Sequence, residues 1–170
     1  TEFHAGGFRL IQNTTNLDIT RNFKTVLNGL NFAFGGEHRI EKYEITAGEI
    51  GSYATFDTNG NPITDPTTQF APIDPISGNP RPGGSQGFPG FSPQNEVNKQ
   101  RTSTAVYADA ELDVSEDFLL GTALRYEHYS DFGNTLNLKT AYKVKVTDQV
   151  SLRGSFSTGF RAPSLAQIYF

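Results

Sequence analysis

Apolar and polar residues alternate along most of the chain, and short polar breaks separate the alternating runs. In one run, Leu136, Leu138 and Tyr142 share one face, whereas Asn137 and Lys139 share the other. Side chains of a β-strand point alternately to its two faces, so this period of two predicts strands. No stretch has the period of an amphipathic helix of three turns. The six predicted strands cover residues 12–22, 31–46, 101–114, 118–129, 135–146 and 150–161.

The alternating runs are long for strands of a globular protein, which typically have ~5–6 residues. Their length matches the ~9–11 residues that a tilted strand needs to cross a bilayer. One face of each run is apolar or aromatic, and the other is small, polar or charged, as in the wall of a transmembrane β-barrel. The strands of a soluble β-sandwich also alternate, so a sandwich remains an alternative.

The connections between the predicted strands alternate in length. The links near 23–30, 115–117 and 147–149 are short, and the links at 48–100 and 130–134 fall on the opposite side of an antiparallel up-and-down meander. Outer-membrane barrels have this asymmetry, with short periplasmic turns and longer outside loops. The long link holds most of the prolines, so it predicts an outside loop with little regular structure.

Composition agrees with an all-β fold and narrows the function. The 170 residues favour one domain, and the formal charge of −4 argues against a nucleic-acid partner. The absence of cysteine excludes disulfides, Cys-type metal sites and thiol catalysis. The chain contains no run of about 18 apolar residues, so the sequence predicts no transmembrane helix. The chain starts with Thr and has no Met, which leads us to expect a piece of a longer protein.

Motifs for catalysis or metal binding are weak. The three histidines, His4, His38 and His128, lack metal-ligand spacing, and no nucleophile or phosphate-loop motif is present. Residues 57–61, Asp-Thr-Asn-Gly-Asn, begin like a calcium loop but lack the later ligands, so an Asn-Gly hairpin turn explains them better. We therefore expect no enzyme activity and no cofactor.

Charged residues of both signs project from one face of the predicted sheet. They are Lys139, Lys143, Lys145, Arg125, Arg153, Asp109, Asp113, Glu111 and Glu127. They could line a path for an anionic ligand or form a ladder of ion pairs, and the interleaved signs favour the ladder. The candidate ligand-binding residues are Arg125 and Lys139 on this face, with Phe88 and Phe91 in the long loop.

Aromatic residues cluster near the loop-side ends of the predicted strands. They are Tyr43, Tyr126, Tyr129, Phe132, Phe160 and Tyr169. In a barrel they would form an interfacial girdle, and in a sandwich they would close the ends of the core.

Four segments resemble a known family. Residues 125–133, Arg-Tyr-Glu-His-Tyr-Ser-Asp-Phe-Gly, and residues 157–165, Ser-Thr-Gly-Phe-Arg-Ala-Pro-Ser-Leu, resemble two motifs of TonB-dependent outer-membrane receptors. Residues 34–43 are similar to a third strand of that family, and residues 83–91 resemble a loop of one of its branches. The motif residues carried over are Arg125, Tyr126, Tyr129, Asp131, Gly133, Gly159, Phe160, Arg161 and Pro163.

The resemblance implies a 22-stranded barrel in the bacterial outer membrane with an N-terminal plug in its lumen. Residues 1–170 would then be a middle piece of that barrel, without plug or TonB-contacting segment, and Phe170 would be a cut site. Its function would be TonB-energised uptake of a scarce ligand, most commonly an iron-siderophore. Its partners would be outer-membrane lipid, its own plug, TonB and the small-molecule ligand. A passive porin or structural barrel, and a soluble secreted β-sandwich acting as a binding module, remain alternatives.

Overall fold

Six strands make up most of the computed structural model, which describes residues 2, 4–85 and 89–170. They form one sheet with the strands in sequence order, as an antiparallel meander. The strands are β1 (Gly7–Phe23), β2 (Gly29–Thr46), β3 (Val97–Ser115), β4 (Phe118–Tyr129), β5 (Gly133–Lys145) and β6 (Ser151–Ser157). The predicted six-stranded meander is confirmed. The described strands form a single sheet, whereas a sandwich would need two.

Two short helices and one 3-10 turn accompany the sheet. Helix α1 covers Ile50–Tyr53, helix α2 covers Leu165–Tyr169, and the 3-10 turn covers Pro93–Asn95. Helix α2 starts with a capping box, in which the Ser164 hydroxyl accepts from the Gln167 N–H and the Gln167 side chain accepts from the Ser164 N–H. Among the described residues, no helix has the length and apolar character needed to span a membrane.

Three predicted strand boundaries were wrong by four residues or more, and the others lie within two residues of the observed ones. Strand β1 starts at Gly7 rather than residue 12. The prediction missed this start because the adjacent apolar residues Leu10 and Ile11 break the period of two. Strand β3 starts at Val97 rather than residue 101. The prediction missed this start because the first residues of the strand are mostly polar and show no alternation. Strand β6 stops at Ser157 rather than residue 161.

A side chain ends the last ladder. Leu138 donates its backbone N–H to the Thr158 hydroxyl at 2.9 Å, and Thr158 donates its own N–H to the Leu138 carbonyl at 2.8 Å. A hydroxyl thus takes the place of the backbone carbonyl that would continue the strand pair. The chain beyond Thr158 leaves the sheet and reaches α2 through Pro163, which has no N–H to give to a ladder.

One face of the sheet is apolar and uncovered. The register sets Leu124 opposite Leu138 and Tyr126 opposite Leu136. Exposed fractions of 46%, 40% and 63% for the three leucines show that none of the described elements covers them. We call this the apolar face; its members include Leu17, Ile19, Phe34, Val106, Leu124, Leu136, Leu138, Leu152 and Phe156. A contiguous exposed apolar surface marks contact with a partner or a membrane.

The opposite face carries the charged residues, and part of it is buried. We call it the polar face; it includes Glu37, Glu41, Arg101, Tyr107, Asp109, Arg125, Glu127, Lys139, Lys143 and Arg153. Arg101 is only 3% exposed and Glu127 only 5%. Charged residues are therefore buried while leucines are exposed, which reverses the usual arrangement of a water-soluble domain.

The described chain divides into two compact units. One unit contains the chain before Gln12, Lys42–Lys99 and Tyr169, and the other contains Gln12–Glu41, Gln100–Ile168 and Phe170. The first unit holds the connection between β2 and β3, which covers residues 47–96.

This connection is built around the fully buried residue Ser52. The Ser52 carbonyl accepts N–H groups from Ser85 and Gly90, at 3.2 and 2.8 Å, and the Ser52 hydroxyl donates to the Glu49 carbonyl at 2.6 Å. Gly84 approaches the same carbonyl so closely that an added Cβ would lie 2.4 Å from its oxygen, and its φ is +72°. The connection is thus held by its own backbone, with little regular structure.

Three aspartates fold short turns within this connection. The pKa of Asp57 is lowered, chiefly because its carboxylate accepts the Asn61 backbone N–H. The pKa of Asp74 is lowered mainly by the Ile76 N–H, and that of Asp65 by the hydroxyl and the N–H of a threonine two residues on. A carboxylate with a lowered folded pKa stabilises the fold above its unfolded pKa, and this stabilisation is lost as the pH falls through the folded pKa.

We expect Gly84→Ala to loosen the connection, because alanine is strained at a positive φ and its Cβ would meet the Ser52 carbonyl. Strain of about 1–3 kcal/mol corresponds to roughly 5- to 150-fold faster cleavage between residues 47 and 96 in limited proteolysis. Gly51→Ala is the matched control, since nothing lies within 4 Å of an added Cβ there. Equal cleavage rates for the two variants would contradict the packing described.

Acid should open the aspartate turns without unfolding the whole connection. Below the unfolded Asp pKa of about 3.9, we expect the amides of Asn61 and Ile76 to lose their protection against hydrogen exchange. The Ile63 amide donates to a backbone carbonyl at 2.8 Å and should keep its protection factor over the same range. Loss of protection at all three amides together would show general unfolding instead.

Candidate functional site

A buried guanidinium organises one end of the polar face. Arg101, on β3, donates from Nε and Nη2 to one oxygen of Glu41, at 2.9 and 2.6 Å. Its Nη1 donates to the Pro163 carbonyl at 2.8 Å and lies 3.6 Å from an oxygen of Asp131. Arg101 therefore joins β2, the turn between β4 and β5, and the segment that follows β6.

Three aromatic rings pack beside this guanidinium. The rings of Tyr129, Phe132 and Phe160 contact one another edge to face, with centroids 6.1–6.3 Å apart. The Arg101 guanidinium lies 5.7 Å from the Tyr129 ring and 5.9 Å from the Phe132 ring. Such contacts add cation–π attraction to the ion pair and exclude water from it.

The family-like motifs converge on Arg101, although sequence reasoning assigned it no role. Tyr129, Asp131, Phe160 and Pro163 come from two motifs about 30 residues apart; three of them lie against the Arg101 side chain, and Phe160 packs on the Tyr129 ring. Arg101 was predicted only as the first residue of a strand. The sequence did contain a signal for its burial: Arg101 is followed on the same face by the small residues Ser103 and Ala105.

A second group of charges follows on the same face. Arg125 donates to Glu37 at 3.1 Å and to Glu127 at 3.0 Å, and Arg39 donates to Glu37 at 2.7 Å. Glu37 belongs to β2 and Arg125 to β4, so this ion pair passes over β3, where the buried Ala105 is small enough to leave room. Of the nine charged residues from which we predicted a ladder, only Arg125 and Glu127 pair with each other among the described residues, and they lie on one strand; the cross-strand pair uses Glu37, which was not among the nine.

Tyr107 extends this group toward β1. Its hydroxyl donates to Asp18, and its ring lies 5.5 Å from the Arg125 guanidinium. The candidate ligand residue Arg125 is thus already bound to two carboxylates and an aromatic ring.

Lys139 lies in a different setting. It lines an open concavity of about 630 Å³ on the polar face of β3 to β6, together with Lys143, Arg153, Asp109 and Glu111. Within the described residues, Lys139 forms no ion pair, which distinguishes it from Arg125.

The loop candidates give less structural information. Phe91 is partly buried, and its backbone is fixed by hydrogen bonds that join it to Ala5 and Gly48, each at 2.9 Å. Phe88 lies outside the described residues. Their roles as ligand contacts stay predictions.

The remaining motif residues lie at the edges of the site. Gly133 has a φ of +81° and shapes the turn into β5, so it has a conformational role. Tyr126 is 43% exposed on the apolar face, and Arg161 is exposed. Gly159 lies in the extended segment between β6 and α2.

The aromatic girdle is only partly supported. Tyr43 and Tyr129 are 2% and 7% exposed, so neither ring can lie in an outward girdle. Both are odd-numbered residues of strands whose odd positions form the polar face, so alternation itself sends them inward. Tyr126 on the apolar face fits the girdle interpretation.

Metal chemistry finds no support among the described residues. No group of three His, Cys, Asp or Glu side chains there could hold a metal ion. The calcium-like segment forms a turn closed by a bridge between Phe56 and Pro62, and Asp57 accepts backbone N–H groups from its own turn. The hairpin-turn interpretation is confirmed.

Comparison with models of known protein families identifies a family for this chain. The profile of a protein family described as "TonB dependent receptor-like, beta-barrel" matches residues 2–170, nearly the whole chain. Comparison with curated proteins and with solved structures gave no match.

Removing either partner of the Arg101–Glu41 pair should be costly, because Glu41 would lose its cation, and the buried Arg101 would keep only the more distant carboxylate of Asp131, at 3.6 Å. We expect Arg101→Ala or Glu41→Ala to lower the free energy of unfolding by about 3–5 kcal/mol. The control is Arg9→Ala, since Arg9 pairs with Glu44 but has a 67% exposed side chain and should cost about 1 kcal/mol or less. A denaturant titration that gave similar losses at Arg9 and Arg101 would show that the buried pair has no special weight.

Proposed function

The chain belongs to the TonB-dependent receptor β-barrel family, and we propose that it forms part of the wall of a barrel that takes up a scarce ligand. This family acts in receptor-type transport, is not a family of enzymes, and lies in the bacterial outer membrane. The observation that supports our proposal is the reversed sheet, with exposed leucines on one face and buried charge pairs on the other.

The two faces then have two environments. The apolar face contacts outer-membrane lipid, and the polar face lines the lumen, where the receptor's own plug sits. The complete barrel has 22 strands, and this chain supplies six of them and one large outside loop. TonB is the partner that we propose to energise this uptake.

The connection at residues 47–96 is the outside loop, and we assign it a role in ligand capture. In an antiparallel meander it leaves the same end of the sheet as the turn between β4 and β5, opposite the short turns. Its fixed backbone around Ser52 supports this role, because a preformed loop loses little entropy on binding. Phe91 and Phe88 are the aromatic contacts that we propose.

An iron-siderophore is the ligand class that we propose, because it is the common case in the family that the motifs resemble. The direct test is uptake of radioactive iron-siderophore by iron-starved cells with and without the full receptor. We expect saturable uptake that requires the receptor and stops when a protonophore collapses the proton gradient. Uptake that persists without the gradient would indicate a passive barrel, and uptake unchanged by receptor deletion would refute the ligand class.

Arginine on the apolar face should destabilise the receptor in a lipid bilayer, because a charge would face hydrocarbon. We expect Leu138→Arg to cost about 2–4 kcal/mol if the residue lies near the midplane. The matched control is the neighbouring residue on the polar face, Asn137→Arg, which should cost much less. Equal costs in a folding titration would overturn the assignment of the two faces.

Shortening the outside loop should weaken ligand binding without unfolding the barrel. We would replace residues 57–79 with a short Gly-Ser linker, which keeps the hydrogen bonds around Ser52. We expect normal amounts of folded receptor in the outer membrane and a reduced affinity for the iron-siderophore. Unchanged affinity would show that this part of the loop has no role in capture.

A further inference from the structure

The concavity on the polar face has a floor of small residues between two charged edges. The floor comes from β4 and β5, where the register pairs Gly121 with Ala141 and Ala123 with Lys139. Glycine and alanine leave the middle of this face empty, so an open space of about 630 Å³ remains. Ligand sites typically have volumes of ~300–1,000 Å³.

One edge of this concavity is positive. Lys143 and Arg153 are direct register partners on β5 and β6, and Lys139 lies on the same face of β5, two repeats of the alternation away, beyond Ala141. Like charges directly opposite each other on one face destabilise a strand pair. Within the described ranges, none of these three cations forms an ion pair, so the repulsion is not relieved.

The other edge is negative but does not reach the cations. Asp109 and Glu111 lie on β3, and the register places β4 residues Ala123 and Gly121 between them and β5. Two strand spacings of ~4.8 Å separate the backbones of β3 and β5. Arg125 and Glu37 bridge the same number of spacings, but among the described residues no ion pair joins Asp109 or Glu111 to these cations, so the basic edge stays available to another anion.

Other cations of the polar face are paired with carboxylates, unlike these three. Arg39, Arg101 and Arg125 each bind a carboxylate within 3.1 Å. Lys145, two residues beyond Lys143, binds Asp148 at 2.6 Å. The fold pairs its cations elsewhere on this face, but it leaves three together around an empty floor.

We propose that Lys139, Lys143 and Arg153 form a binding site for a carboxylate or phosphate group. The site rests on the proposed function, which places this face toward the lumen. A planar guanidinium next to two ammonium groups suits an oxyanion, because it can give two parallel hydrogen bonds while the lysines add charge. The oxyanion comes either from an acidic side chain of the receptor's plug or from a transported ligand.

A zero-length carbodiimide cross-linker distinguishes the first source, because it joins a lysine amine directly to a carboxylate. In the full receptor, a plug carboxylate in the site should give a cross-linked peptide between Lys139 or Lys143 and an acidic residue outside residues 1–170. Cross-links that reach only Asp109 or Glu111 would show that the two edges neutralise each other, and they would overturn the proposal.

Citrate is the probe for the second source. We would measure acetylation of each lysine in the full receptor by mass spectrometry, with and without citrate. At citrate about ten times above half-saturation, acetylation of Lys139 and Lys143 should slow about tenfold by mass action, whereas Lys145 should react at the same rate. Arg153→Gln should weaken this protection, and Lys145→Gln should leave it unchanged.

The results separate the site from the proposed function. A cross-link outside the chain, or protection by citrate, supports the site even if iron-siderophore uptake fails. If uptake depends on the receptor and on the proton gradient, but Lys139 and Lys143 show neither an outside cross-link nor protection, the site is wrong and the proposed function stands.

Discussion

Everything in this structure depends on the alternation of side chains across a single sheet, whose register from β3 to β6 is interrupted only by a shift between Asp113 and Ser115 in the described strand pairs. The register sets Leu124 opposite Leu138 on one face and Glu111 opposite Gly121 on the other. A slip of one residue in any strand would carry charges to the apolar face and leucines to the polar face. The fold therefore requires strong interactions between strands that fix the register, and the buried ion pairs of the polar face supply them.

Buried ion pairs fix the register at one end of the polar face. A guanidinium taken out of water is stabilised only when its partners are well placed, so Arg101 tolerates few positions for Glu41, Asp131 and the Pro163 carbonyl. The neighbouring Arg125 imposes the same demand on Glu37 and Glu127. The three cations beside the small-residue floor, Lys139, Lys143 and Arg153, form no ion pair among the described residues, so they place no such constraint on neighbouring strands. We therefore assign them to recognition rather than to folding.

The sequence was sufficient for the strands and their faces, because period-two alternation is a local signal. It was not sufficient for Arg101, whose partners lie up to 62 residues away and can be found only by folding the chain. The end of β6 was missed because Thr158 uses its hydroxyl to close the ladder, and composition does not show this. Burial of Tyr43 and Tyr129 was predictable from their odd positions, but their aromatic character suggested the interface instead.

The central claim is that one face of this sheet contacts lipid and the other does not. A nitroxide scan through residues 135–144 of the full receptor in lipid bilayers tests it most directly. We predict that collision rates with oxygen, which concentrates in lipid, peak at even-numbered positions such as 136, 138 and 142. Odd-numbered positions should have lower rates. A scan without a period of two, or with maxima at odd-numbered positions, would contradict the account.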